Sequence, residues 1–156
     1  MNVEIQILTP EDTDCFSELI KVFEKVFEWE NFSPPTNSYL QRLLNNKSFL
    51  VFVAKTNHSL LGGLTAHVLY RYDTEKPSAY IYDMAVSPQF QRKGIGKLLI
   101  ATLNDYCKKN GFSEVFVQAE TNDHQAVNFY RTTPNTSELQ ATHFTYSLDE
   151  VNDNVE

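Results

Sequence analysis

The sequence is poor in cysteine and glycine and has no long apolar run. Its 156 residues include two cysteines, Cys15 and Cys107, which lie far apart and form no C-x-x-C pair. Neither a disulfide framework nor a zinc knuckle is therefore expected. No stretch approaches the roughly 20 apolar residues of a membrane-spanning helix, and the first residues lack the basic and apolar segments of a secretion signal. We expect a globular protein of a reducing, cytoplasmic compartment.

Basic residues are fewer than acidic residues. The chain has 13 Lys and Arg against 20 Asp and Glu, a net charge of −7. Such a surface repels nucleic acid and anionic membranes and favours a cationic partner. The length fits one domain, which we place at residues 1–148, and residues 149–156 are predicted to form an acidic, disordered tail.

Hydrophobic periodicity predicts six strands and four helices. A Thr9-x-x-Asp12 capping box marks the start of the first helix, with Pro10 in its first turn. The predicted strands are 1–8, 48–55, 60–72, 78–86, 114–119 and 139–148, and the predicted helices are 10–30, 38–45, 94–110 and 123–131. This order indicates an α/β or α+β fold with a single mixed central sheet flanked by helices.

The loop between the fourth strand and the third helix is the most informative segment. It holds two of the chain's five glycines, Gly94 and Gly96, together with Arg92, Lys93 and Lys97. A helix N-terminus offers unpaired N–H groups and partial positive charge, which suit a phosphate. A P-loop is excluded because Leu98 replaces its hydroxyl residue, and a dinucleotide fingerprint is excluded because Leu99 replaces its third glycine.

The run from Val86 through Pro88 to Gln91-Arg-Lys-Gly-Ile-Gly96 resembles the acyl-CoA signature of the GNAT superfamily of N-acetyltransferases. That resemblance implies the GNAT fold and acetyl-CoA as cosubstrate. It also implies that the loop binds the pyrophosphate and that the main chain of the preceding strand binds the pantetheine arm. The cofactor-binding residues it indicates are Met84, Ala85, Val86, Gln91, Arg92, Lys93, Gly94, Ile95, Gly96, Lys97, Asn122 and Tyr130.

A narrower resemblance covers roughly residues 20–148. The runs Tyr80–Val86 and Val117–Glu120, with Ala126-Val127-x-x-Tyr130 and His143-Phe144, are similar to the GNAT-type aminoglycoside 3-N-acetyltransferases. This implies acetyl transfer to an aminoglycoside, at the 3-amino group of 2-deoxystreptamine, and association of two copies as a homodimer. The sequence departs from the family at 131–135, where many members have a short run ending in glycine.

Acetyl transfer to an amine needs a base, an acid and donors for developing negative charge. By resemblance Tyr130 is the general acid, and the alternative is a tyrosine of the core. Asp83, an acid inside an apolar strand, and Glu120, at the end of the predicted fifth strand, are candidates for the base or for anchoring the amine. Asp123 is either an anchor or a helix cap, and Glu28 belongs either to the acceptor rim or to a solvated helix face.

Other chemistries have less support. Neither cysteine has an adjacent activating group, so we expect no covalent intermediate. The four histidines, His58, His67, His124 and His143, lack metal-ligand spacing, so no metal is expected. The rival functions are acetylation of a polyamine or a peptide amine, and a CoA-binding regulatory module without turnover.

Overall fold

The computed structural model describes residues 1–149, in which one sheet has the order β1-β2-β3-β4-β5. The strands β1 (Glu4–Ile7), β2 (Phe49–Lys55), β3 (Leu60–Leu69) and β4 (Ser78–Val86) are antiparallel neighbours. Strand β5 (Glu114–Val117) lies parallel to β4, because a helical crossover joins the two. The predicted mixed sheet is confirmed. The predicted tail, apart from Asp149, lies outside the described residues.

Residues 1–149 contain four helices, two of which, from the first half of the chain and from its middle, pack on opposite faces of this sheet. The four are α1 (Thr13–Phe27), α2 (Asn37–Leu44), α3 (Ile95–Lys109) and α4 (His124–Arg131), and a 3-10 turn, Pro88–Phe90, precedes α3. On one face α1 lies close to β3, since a Cβ added to Gly63 would stand 2.8 Å from Leu19 Cδ1. On the other face Tyr106 of α3 meets Phe52 of β2 at a ring-centroid distance of 5.7 Å. Successive apolar residues of a strand therefore pack alternately against α1 on one face of the sheet and against α3 on the other.

The chain divides into two compact units, Met1–Gln118 and a second that begins at Ala119. The first unit contains the sheet and α1–α3, and the second contains α4. None of the helices within residues 1–149 is long and apolar enough to cross a membrane.

The predicted last strand, 139–148, is wrong: the structure has no strand there. Its large apolar side chains are exposed, Leu139 by 89%, Phe144 by 77% and Leu148 by 93%. Alternating apolar residues form a strand only where a neighbouring strand and a covering layer are available, and no strand within residues 1–149 pairs with this segment.

The start of the first helix also differs from the prediction. The N–H and hydroxyl of Thr9 donate to the Asp12 carboxylate at 2.7 and 3.0 Å, but this closes a turn before the helix rather than capping it. The helix begins at Thr13 and ends at Phe27, because Glu28 adopts a left-handed conformation with φ 55°. Strand β3 ends at Leu69 rather than at 72, and β5 ends at Val117 rather than at 119.

Candidate functional site

The loop between β4 and α3 is anchored to the end of β4 by Gln91. Its side-chain amide donates to the Val86 carbonyl at 2.9 Å, and its backbone N–H donates to the Pro88 carbonyl at 3.3 Å. The backbone then turns through two left-handed residues, Arg92 (φ 60°) and Gly94 (φ 80°). Such alternations turn successive N–H groups toward one side and form an anion-binding concavity.

Six consecutive backbone N–H groups, from Arg92 to Lys97, have no hydrogen-bond acceptor within residues 1–149. The helical hydrogen bonds begin with the Leu98 N–H, which donates to the Gly94 carbonyl at 3.0 Å. The N–H groups of residues 94–97 are the ordinary unpaired donors of a helix start, and that of Lys93 lies beside them. The left-handed turn at Arg92 adds the sixth N–H group. A ligand rich in phosphate oxygens can satisfy all of them.

The space and charge around these amides suit a large anion. A Cβ added at Gly94 would meet nothing within 4 Å, so the backbone is open to approach. The side chains of Arg92, Lys93 and Lys97 are exposed on the same loop, and the Lys93 ammonium lies 5.9 Å from the centre of the Phe90 ring.

The last part of β4 has a strand neighbour on one side only. Its pairing with β3 continues to Val86, whereas its register with β5 ends at Ile81 opposite Val117. No strand within residues 1–149 pairs with β4 beyond that point on the β5 side. Main-chain groups of Met84 and Ala85 are thus beside an open edge, as an amide-containing pantetheine arm requires, while the Val86 carbonyl is already held by Gln91.

Asp83 lies at a β-bulge in the middle of β4. Thr65 and Ala66 of β3 oppose Asp83 and Ile81, so Tyr82 is the additional residue. The Asp83 N–H donates to the hydroxyl of buried Thr65 at 3.3 Å. Partial burial of the carboxyl raises the pKa of Asp83 above its ordinary value. A carboxylate with a raised pKa at a bulge is suited to accept a proton.

The other predicted acids are exposed side chains outside β4. Glu120 is exposed and stands three residues beyond the end of β5, and Asn122 lies in the exposed turn that follows. The Asp123 carboxylate accepts the N–H of Ala126 at 3.1 Å, so its predicted role as the cap of α4 is confirmed. Glu28 is exposed at the C-terminal end of α1.

Tyr130 lies in the last turn of α4 and is half-buried. Its ring meets that of Phe129 edge-on at 5.1 Å. The divergent segment 131–135 wraps the end of this helix, because the hydroxyl of Thr133 and the amide of Asn135 both donate to the Tyr130 carbonyl. These residues fix the backbone of Tyr130 in the way a glycine cap fixes other helix ends.

The thiols have no activated environment. Burial raises the pKa of Cys107 to about 11. Burial and the nearby Glu18 raise the pKa of Cys15, with Lys55 acting in the opposite direction. Both shifts disfavour the thiolate. No group of three or more His, Cys, Asp and Glu side chains suited to a metal ion occurs in residues 1–149.

A match to a protein family agrees with three features of this site: the loop suited to phosphate, the open strand edge and the half-buried carboxylate. Residues 12–133 match the model of the acetyltransferase (GNAT) family. The chain belongs to the GNAT family. GNAT acetyltransferases use acetyl-CoA. The six amides without an acceptor in residues 1–149, the open space at Gly94 and the edge of β4 that no described strand covers fit that cosubstrate.

Solved structures resemble this GNAT chain closely. An aminoglycoside acetyltransferase from an uncultured soil metagenomic sample, in complex with trehalose, is 49% identical with a TM-score of 0.92, covering 94% of this chain and 97% of that one. In complex with sisomicin it is 48% identical over the same shares, with a TM-score of 0.93.

A curated relative, N-alpha-acetyltransferase 60 of Xenopus tropicalis, is 24% identical over an alignment of 138 positions that covers 74% of this chain. This chain spans about half, 54%, of that relative's length.

The structure brings together several predicted residues within the first unit, namely Asp83, the end of β4 and the loop. It also reveals residues that sequence reasoning missed. Thr65 supports the bulge, and His67, Tyr80 and Tyr82 lie in ring contact on the sheet. The spacing Tyr80-x-Tyr82 is a usable signal, but the bulge at Tyr82 has no sequence signature here.

Proposed function

We propose that the protein transfers the acetyl group of acetyl-CoA to an amino group of an aminoglycoside. The observation that carries this proposal is the 48–49% identity, over 94% of the chain, to an aminoglycoside acetyltransferase whose structure holds sisomicin. The net charge of −7 supports it as well, since an acceptor with several ammonium groups is attracted by an acidic protein.

The donor half of the site consists mainly of backbone. In the proposal the amides from Arg92 to Lys97 bind the pyrophosphate, and Met84 and Ala85 bind the pantetheine arm. Gln91 acts indirectly, because its side chain joins the loop to β4. Asn122 is proposed as a further contact of the cofactor. Acetyl-CoA supplies the activated acetyl group, and the protein supplies orientation and proton transfer.

Proton transfer is assigned to two residues. Asp83 accepts a proton, directly or through water, from the ammonium group that is to be acetylated, and its raised pKa makes it a better base than an exposed carboxylate. The neutral amine then forms the new C–N bond as the C–S bond breaks, within one complex of both substrates, and the second proton that the nitrogen loses replaces, through water, the one that Tyr130 gives to the thiolate. Tyr130 donates the proton that the departing thiolate needs, and the caps at Thr133 and Asn135 hold its backbone.

Carboxylates around the acceptor provide selectivity. Glu120 and Glu28 are both exposed and are proposed to bind further ammonium groups, whereas the Asp123 carboxylate is used within α4. The proposed position of acetylation is the 3-amino group of 2-deoxystreptamine. A homodimer is proposed too, and sedimentation of the purified protein tests it.

A thiol-release assay tests this function. Purified protein is incubated with acetyl-CoA and, in parallel, sisomicin, a polyamine or a peptide, and the acetylated product is located by NMR. Turnover of sisomicin above the other amines, with acetyl on the 3-amino group, is the expected result. Turnover of a polyamine or peptide alone would overturn the acceptor class, and CoA binding without turnover would indicate a regulatory module.

A further inference from the structure

A continuous row of rings crosses the sheet on the side that α1 covers. The successive ring-centroid distances are 5.3, 5.6, 6.2 and 4.9 Å. We call this row the aromatic strip; it consists of Phe49 on β2, His67 on β3, Tyr82 and Tyr80 on β4, and Phe116 on β5. Phe16 of α1 touches the Phe49 end at 6.0 Å, which identifies the face.

The bulge places Tyr82 and Asp83 on this same face although they are consecutive. Thr65 and His67 are two residues apart on β3 and therefore share a face. Asp83 stands opposite Thr65 in the register, and the Tyr82 ring contacts the His67 ring. In a regular strand one of the two side chains would face α3 instead.

Tyr82 is the exposed member of the strip. Its side chain is 62% exposed, yet it is held edge-on between His67 and Tyr80, at 90° to each. Tyr80 is itself fixed, because it stacks on Phe116 with an interplanar angle of 12° and its hydroxyl donates to Gln118 at 3.3 Å. A rigid ring is thus presented to solvent next to a half-buried carboxylate.

This arrangement has the chemistry of a site for a cationic saccharide. An ammonium group is attracted to the face of an aromatic ring, and the apolar C–H surface of a sugar ring gains contact area there. The adjacent carboxylate complements the charge of the same ligand. A core role does not explain Tyr82, because most of its side chain remains exposed.

We propose that Tyr82, supported by His67 and Tyr80, is the platform on which one ring of the aminoglycoside rests, and that it positions the reacting amine beside Asp83. This inference rests on the proposed function and adds a specificity-determining residue to it. Tyr82 acts on acceptor binding and takes no part in proton transfer.

The test compares Tyr82→Ala, Tyr82→Leu and Tyr82→Phe by steady-state kinetics, with calorimetric titration of sisomicin into the CoA-bound protein. The Ala and Leu variants are expected to raise the KM and Kd for sisomicin about tenfold while the KM for acetyl-CoA stays unchanged, because both lack the ring. The Phe variant keeps the ring and is expected to remain within about twofold of the parent protein.

Tyr72→Ala is the matched control, since Tyr72 is fully exposed, at 104%, in the turn that precedes β4. It is expected to change neither constant. Melting temperatures check that each variant folds, and Tyr82→Leu keeps the test valid if the Ala variant does not fold.

The outcomes separate the two hypotheses. Unchanged sisomicin KM and Kd in Tyr82→Ala, with a parent protein that acetylates sisomicin, would overturn the platform alone. Equal losses for both substrates would also overturn it, as would a changed sedimentation coefficient with normal kinetics, which would show that a second copy covers Tyr82. A parent protein that neither binds nor acetylates any aminoglycoside would overturn the proposed function and the platform with it.

Discussion

The loop from Arg92 to Lys97 and the face around Asp83 lie in one unit but are built in different ways. The loop offers main-chain N–H groups, so its ability to bind an anion depends on backbone conformation more than on side-chain identity. The Asp83 face depends on side chains that a bulge and ring contacts hold in place. Substitutions in the loop should therefore change the binding of acetyl-CoA by altering the backbone conformation. Substitutions around Asp83 should change the binding and reaction of the acceptor by removing a functional side chain.

Asp83→Asn has the largest expected effect, and it tests whether the face around Asp83 acts through its side chains. Loss of the proposed base is expected to lower kcat about a hundredfold or more, with little change in the KM for acetyl-CoA. The acid limb of the kcat profile, which the raised pKa of Asp83 moves upward from the ordinary value, should disappear. Kinetics across a pH series measure both.

The same substitution has an opposite consequence for stability. Because the folded pKa of Asp83 is raised, its stabilising contribution is present below the ordinary pKa of aspartate and is lost as pH rises through the folded value. Asn carries no such loss, so at neutral pH the variant should melt at a temperature equal to or above that of the parent. A lower melting temperature together with normal kcat would contradict both statements.

Gly94→Val tests the conformational half. A β-branched residue at φ 80° is strained by about 1–2 kcal/mol, so the loop should shift and the KM for acetyl-CoA should rise about tenfold. The KM for the acceptor should stay within about twofold. Two-substrate kinetics provide the measurement.

Gly111→Val is its matched control. Gly111 has φ 77° and, like Gly94, nothing within 4 Å of an added Cβ, but it follows the other end of α3. It should lose similar stability without a change in either KM. An equal rise in the acetyl-CoA KM in both variants would mean that Gly94 acts through stability alone.

Neutralising the loop cations should have a smaller effect. Lys93→Gln and Lys97→Gln are each expected to raise the KM for acetyl-CoA about threefold at low salt, because exposed charges contribute little, and the difference should shrink at high salt. Lys108→Gln, at the other end of α3, should leave the KM unchanged. A salt-independent difference would argue that these side chains, rather than the amides, hold the donor.

Alkylation should have the smallest effect. With pKa values raised at both thiols, iodoacetamide at neutral pH is expected to leave kcat unchanged over the time in which a free cysteine is fully modified. Mass spectrometry measures the modification. Rapid loss of activity that acetyl-CoA prevents would place a thiol in the site.

Local sequence signals predicted most of the fold. Strand β4 has the predicted bounds, and α3 begins one residue after the glycine expected at its start, because their signals are local: a β-branched and aromatic run and a glycine next to an amphipathic helix. The segment 139–148 has an equally regular pattern but no strand to pair with in residues 1–149. A strand depends on its neighbours more than a helix does.

The candidate site also has one part that the sequence predicts and one part that it does not. The donor loop could be predicted, since glycines, basic residues and a helix start are adjacent in sequence. The aromatic strip could not, because it joins His67 to Tyr82 through a cross-strand register that a bulge sets. The proposed role of Tyr130 in proton transfer rests on resemblance together with the caps of its helix.

An NMR titration of nitrogen-labelled protein tests the division between donor and acceptor most directly. Acetyl-CoA should move the backbone amide signals of Arg92 to Lys97, and sisomicin added afterwards should move those of His67, Tyr82 and Asp83 while the first set stays in place. Acetyl-CoA that left the six loop amides unmoved, or sisomicin that moved them instead of the β4 signals, would contradict the account.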